Sequence, residues 1–156
     1  MTAAERLFAL ASAQGATLTT AESCTGGMVA GAITDVAGSS AIFQRGFVTY
    51  SDAAKVDMLG VSPATLDAFG AVSEQVAGEM AQGARLRAGA TLAVAVSGIA
   101  GPGGSAFKPE GRVCFALATP QGTRVETVEF GAIGRSAVRQ GAVDHALALM
   151  IGALQP

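Results

Sequence analysis

The chain of 156 residues has no tryptophan, one tyrosine (Tyr50), one histidine (His145), two cysteines (Cys24 and Cys114) and two lysines (Lys55 and Lys108). Each scarcity closes off a class of protein. Two widely spaced cysteines and a single histidine give neither a disulfide framework nor the ligand spacing of a zinc site. The acids are scattered, so no metal or other cofactor is expected. Free thiols suit a reducing, cytoplasmic setting. Net charge is −2, and no basic stripe interleaved with aromatics is present, which argues against a nucleic-acid partner. The longest apolar runs, such as residues 92–96, fall far short of the ~20 residues that span a bilayer. The first residues, Met1-Thr2-Ala3-Ala4-Glu5-Arg6, lack the basic start and long apolar middle of a signal peptide. No membrane association is expected. An enzyme built on this chain that needs a nitrogen base has only His145, Lys55 and Lys108 to choose from.

What is present is a core-forming composition: 50% hydrophobic residues against 14% charged. That is enough for one ordinary domain, taken as residues 1–156. The pattern alternates. Residues 3–14 read as an amphipathic helix ended at Gly15, residues 16–21 as a strand, residues 23–37 as a helix and residues 41–50 as a strand. Short helices are expected at residues 52–59 and from Pro63 to Gly70, and a longer one at residues 74–87. Residues 91–97 are the clearest buried strand, apolar on both faces. Residues 112–119 and 123–130 are two strands joined by the turn Pro120-Gln121-Gly122, which makes them an antiparallel hairpin. A final helix covers residues 135–154. The predicted architecture is α/β: a three-layer α/β/α sandwich with a mixed, mostly parallel sheet and one antiparallel hairpin.

Three groups of residues carry candidate chemistry. The run Thr19-Thr20-Ala21-Glu22-Ser23-Cys24-Thr25-Gly26-Gly27 joins a strand to a helix. In an open α/β sheet that junction is where ligands bind. The first N–H groups of the helix would stabilise an anion or an oxyanion. Ser23 is placed to cap the helix, to act as a nucleophile, or both. Lys55, one turn into the helix after Tyr50, would be a base if burial and the helix's positive end disfavour its charge. Tyr50 would relay a proton or hold the lysine. As an ordinary surface residue, Lys55 would instead pair with Asp52. The glycine-rich loop at residues 98–105 follows the most buried strand, where backbone N–H groups can approach a ligand. Arg135 and Arg139, four apart, share one face of the last helix and suit a phosphate. Arg45 sits inside a strand, as a solvated residue or a ligand contact. Cys24 at a helix start would have a lowered thiol pKa. His145, mid-helix, reads as packed or surface.

In order along the chain stand Ala21-Glu22-Ser23-Cys24-Thr25-Gly26-Gly27, Gly38-Ser39-Ser40, Arg45-Gly46-Phe47-Val48-Thr49-Tyr50-Ser51 with Lys55, Gly70-Ala71-Val72-Ser73, Ser97-Gly98-Ile99-Ala100-Gly101-Pro102-Gly103-Gly104, and Lys108-Pro109-Glu110-Gly111. This series resembles the CinA C-terminal family, over residues 3–152, and a stand-alone member of it. The resemblance implies a three-layer α/β/α fold and metal-free deamidation of nicotinamide mononucleotide to nicotinic acid mononucleotide and ammonia. It implies Ser23 as nucleophile, Lys55 as base and Tyr50 as its assistant. It places Thr25, Gly26, Ser97, Gly98, Gly101, Gly103 and Gly104 around the substrate, and Arg135 and Arg139 toward the phosphate; Gly27 and Arg45 are further candidate substrate contacts. It also implies a homodimer. Many relatives carry Gly-Asp-Arg before the last helix; here Gly131-Ala132-Ile133-Gly134-Arg135 lacks the acid. The alternatives are hydrolysis of a different small amide, and a nucleotide- or partner-binding module without turnover.

Overall fold

The computed structural model describes residues 1–105 and 107–156. Five strands form one sheet, β1 (Leu18–Glu22), β2 (Phe47–Val48), β3 (Leu92–Gly98), β4 (Arg112–Thr119) and β5 (Gly122–Glu129), in the order β2-β1-β3-β4-β5. Helices α1 (Ala3–Gln14), α2 (Met28–Thr34) and α6 (Arg135–Leu154) cover one face. Helices α3 (Asp52–Leu59), α4 (Pro63–Phe69) and α5 (Glu74–Ala88) cover the other. This is the expected three-layer α/β/α arrangement with a mixed sheet. The "mostly parallel" expectation needs correcting in detail. β1 pairs in parallel with β2 and β3, whereas β3–β4 and β4–β5 are antiparallel. Four strands point one way, but the ladders divide evenly. Nor is the short β4–β5 turn the only antiparallel connection, because the glycine-rich loop joins β3 to β4.

Strand alternation sorts the two faces by size. Leu92, Val94 and Val96 of β3 and Val113, Phe115 and Leu117 of β4 enter the core under α1, α2 and α6. Ala93 and Ala95 with Cys114, Ala116 and Ala118 meet α5. Small residues on that face let α5 lie close. The same closeness extends to α3: a Cβ on Gly83 of α5 would sit 1.9 Å from the Leu59 carbonyl oxygen. Burying a side chain of the larger kind contributes about 1.5–3 kcal/mol, so the α6 side supplies most of the apolar stabilisation and the α5 side supplies precision of approach.

Most helix signals hold. Thr2 and Glu5 form a reciprocal capping box on α1, and Gly15 ends it in the left-handed region. Ser51 and Ser73 cap α3 and α5 through their hydroxyls. Two expectations fail, both beside the site. The strand expected over residues 41–50 reduces to β2, preceded by a 3-10 turn at Ser39–Ala41. Phe43 pairs with Leu18 and Phe47 with Ala21, so this segment spends one residue more than β1 between the two pairings. That is a bulge, and the Thr19 hydroxyl donates to the Arg45 carbonyl across it. The helix expected over residues 23–37 is only Met28–Thr34, with Gly27 at its N-cap. Residues 23–27 form a turn ahead of it.

Candidate active site

At the carboxyl end of β1 the chain leaves the sheet with Ser23, whose N–H donates to the Val96 carbonyl of β3. The turn at residues 23–27 is held from two sides. Glu22, wholly buried, accepts from the Thr25 hydroxyl at 2.6 Å, the Val29 N–H at 2.8 Å and the Ala30 N–H at 3.0 Å. A buried carboxylate without such partners would be strongly unfavourable. Arg139 of α6 donates from Nε to the Cys24 carbonyl at 3.0 Å and from Nη2 to the Thr25 carbonyl at 3.3 Å. The positive end of α2, expected to receive an external anion, is therefore filled by the chain's own Glu22.

Lys55 reaches Ser23 from beneath. The first turn of α3, started by the Ser51 cap, points this lysine inward, and it is only 1% exposed. Its Nζ lies 3.1 Å from Ser23 Oγ and donates to the Thr49 carbonyl at 3.0 Å. Burial pushes its ammonium below the ordinary lysine value of 10.5, against a smaller opposing effect from Asp52. The surface pairing with Asp52 is not what this residue does.

In front of Ser23 opens a cavity of about 270 Å³, lined by Ser23, Cys24, Tyr50, Gly98, Ile99, Ala100, Gly101, Pro102, Gly103 and Arg135. Arg135 spans its mouth. Its Nη1 donates to the Gly101 carbonyl at 2.8 Å and its Nη2 to the Tyr50 hydroxyl at 2.7 Å. Gly101 lies in the left-handed region (φ 94°), and a Cβ there would fall 2.6 Å from the Glu110 carboxyl carbon and displace that side chain. Glu110 in turn accepts from the Gly103 N–H.

Sequence reasoning thus placed Ser23, Lys55, Tyr50, Gly98, Gly101, Gly103 and Arg135 in or beside one pocket, and the structure brings them together. Other expectations are corrected. Ser23 does not cap α2, because the turn separates them. Tyr50 is 59% exposed and bonded to Arg135; the Thr49 carbonyl, not the tyrosine, holds Lys55. Arg139 faces the turn carbonyls and not the cavity. Thr25 is buried with its hydroxyl on Glu22, Gly26 and Gly27 shape the turn behind the pocket, and the Gly26 N–H is taken by the Ser23 carbonyl. Ser97 is buried and donates to the Ala71 carbonyl. Gly104 packs on the Lys108 backbone, and Arg45 is exposed on the amino-terminal side of β2. Thr25, Gly26, Gly27, Arg45, Ser97, Gly104 and Arg139 therefore do not line the cavity. Burial raises the Cys24 thiol to about 11, the opposite of the activated thiol expected at a helix start. His145 packs its ring on Phe115, with Nε2 2.5 Å from Glu126. Among the described residues, no three His, Cys, Asp or Glu side chains gather as a metal would need. The residue that sequence reasoning missed is Glu22. Its signal was available: an acid at the end of an otherwise uncharged buried strand must find partners nearby.

The fold and site define a class: an α/β/α protein with a buried lysine on a strand-end serine, opening on a glycine-lined pocket. The match to known proteins narrows this. Residues 1–154 match the family model described as CinA C-terminal domain, and the chain belongs to that family. It is 58% identical over 136 residues to the nicotinamide-nucleotide amidohydrolase PncC of Escherichia coli K12, covering 86% of this chain and 82% of that one. It is 59% identical over 128 residues to the nicotinamide-nucleotide amidohydrolase PncC of Enterobacter agglomerans, covering 81% and 78%. The crystal structure of the competence/damage inducible protein CihA from Agrobacterium tumefaciens superposes with a TM-score of 0.95 at 50% identity, covering 98% of this chain and 94% of that one.

Proposed function

We propose that the chain is an amidohydrolase that converts nicotinamide mononucleotide to nicotinic acid mononucleotide and ammonia, as the names of its close relatives suggest. The observation that carries the mechanism is the 3.1 Å contact between buried Lys55 Nζ and Ser23 Oγ. A lysine held low by burial spends more of its time neutral, and a neutral amine can accept a proton. The Thr49 carbonyl takes one N–H of that amine and leaves its lone pair toward Ser23. Ser23 Oγ attacks the carboxamide carbon as its proton passes to Lys55. The oxyanion forms beside the Cys24 N–H, next along the turn from the nucleophile. Collapse expels ammonia, which takes the proton from Lys55, and leaves an ester on Ser23. Lys55 then removes a proton from water, which attacks the ester; as the adduct collapses, Lys55 returns that proton to Ser23 Oγ and the acid leaves. Arg135 is the cation on the cavity wall, and it takes the substrate phosphate in place of the Tyr50 hydroxyl and the Gly101 carbonyl. Tyr50 holds Arg135 in position until then. No step calls for a metal.

In this reading residues 1–156 act as one catalytic domain, in the cytoplasm, as a homodimer. No helix of the described chain is long and apolar enough to cross a membrane. Both cysteines are free and buried. The test is ammonia release from nicotinamide mononucleotide, nicotinamide riboside, nicotinamide and a panel of other small amides, without added metal. Preference for the mononucleotide by roughly two orders of magnitude over the riboside is the expected result, given the energy of a charge-assisted phosphate contact. Faster release from another amide would replace the substrate, and release from none would favour a binding module.

A further inference from the structure

β5 forms one side edge of the sheet, and six of its eight residues are exposed. Its ladder with β4 runs unbroken from Arg112 opposite Glu129 to Thr119 opposite Gly122, without bulge or proline. Such an edge is a ready template for another strand. The Phe130 N–H donates to the Gly111 carbonyl, continuing the same register. Hydrogen-bonded pairs alternate along an antiparallel ladder. The main-chain groups of Arg124, Glu126 and Val128 therefore turn to β4, and those of Thr123, Val125 and Thr127 turn outward.

We propose that two copies of this chain pair through β5, antiparallel about a two-fold axis at Val125. This rests on the homodimer reading above and gives it an interface. Opposed residues must both face outward or both face inward, so the axis falls on a residue. On Arg124 or on Glu126 it would oppose like charges. On Thr127 it would set Val125 against a carboxylate, Glu129 of the partner subunit. On Val125 it opposes Arg124 to the partner subunit's Glu126, and does so twice by symmetry. It also joins the 43%-exposed Val125 to its own copy, and Thr123 to the partner subunit's Thr127. Cross-strand opposite charges and β-branched pairs are the favourable combinations in a sheet. Shallow hollows flank β5 on both faces, one edged by Phe115 and Leu149 and one by Gly78 and Gln82, which leaves room for a second strand's side chains.

The test is solution mass by light scattering and sedimentation over a concentration series, with ammonia release measured on the same samples. Wild type is expected at twice the chain mass. Val125→Pro deletes only an outward N–H, which an edge strand tolerates; it is expected to weaken the dimer at least about tenfold while the chain stays folded. Arg124→Glu is expected to do the same by opposing carboxylates, and the double change Arg124→Glu with Glu126→Arg to restore the dimer, although Glu126 also gives up its contact with His145. Ammonia release should stay near wild type, because β5 supplies no residue to the Ser23 cavity. A monomeric wild type would overturn the homodimer reading itself. A dimer indifferent to Val125→Pro and Arg124→Glu would overturn this interface alone, and one broken by Arg124→Glu but not restored by the double change would overturn this register.

Discussion

The chain has two lysines, and their surroundings differ in one respect that matters. Both ammonium groups are held by main-chain carbonyls: Lys55 by Thr49, Lys108 by Phe69 and Val72. Lys108 is only half-buried, and among the described residues its partners are carbonyls, which cannot give up a proton. It ties the loop after β3 to the end of α4. Lys55 is fully buried and has a hydroxyl as its second partner. Being held by a carbonyl makes a lysine a strut. Adding burial and a serine makes it a candidate base.

The largest expected effect is on the catalytic side of that comparison. Lys55→Met should lower kcat by about 10²–10⁴-fold, the usual share of a general base, with little change in KM. The same variant sharpens the comparison through stability. Lys55 is depressed in the folded chain, so the unfolded chain binds the proton more tightly. Folding therefore pays a protonation penalty that is complete below the folded pKa and fades as pH rises toward 10.5. Denaturant titrations at several pH values should show Lys55→Met gaining on wild type at low pH and losing that advantage toward pH 10.5. A constant difference would mean that Lys55 is not depressed. In the same vein, the alkaline rise of kcat should fall below the ordinary lysine range and vanish in Lys55→Arg, whose guanidinium stays charged.

Arg135→Ala should come next, raising KM for the mononucleotide about 10–100-fold, as loss of a charge-assisted contact would. Tyr50→Phe, which removes only the hydroxyl that positions Arg135, should cost a few-fold by the scale of a single neutral hydrogen bond. Smallest in activity is Lys108→Met, expected to stay within about twofold of wild type while lowering stability by roughly 1 kcal/mol, since water can replace the ammonium at the exposed Phe69 carbonyl and only the part-buried Val72 carbonyl loses a partner. If Lys108→Met abolished turnover at full stability, the division between strut and base would fail.

Much of this was legible in the sequence because local chemistry dictates it. The caps at Ser51 and Ser73, the stop at Gly15 and the apolar run of β3 left little choice. Burial of Lys55 was legible only as a condition, since its contact with Ser23 depends on how β1 and α3 meet across the sheet. The bulge between Phe43 and Phe47 was hidden because a strand-like composition does not record one extra residue against a neighbour. The short α2 was hidden by Glu22, whose carboxylate bonds N–H groups seven and eight residues on and so fixes where the helix starts. Arg139 was grouped with Arg135 toward a phosphate because the two share a helical face. Spacing gives a shared face, but the carbonyls of Cys24 and Thr25 decide what that arginine touches.

The central claim is that Ser23 takes the acyl group with Lys55 as its base. The most direct measurement is ammonia release from nicotinamide mononucleotide by wild type and Ser23→Ala, with circular dichroism and thermal melting to confirm the fold of both. The predicted result is release by wild type and a loss of roughly 10³-fold or more in Ser23→Ala, with its melting unchanged within a few degrees. Turnover by a folded Ser23→Ala at a rate near wild type would contradict the claim and return attention to the other groups that line the cavity.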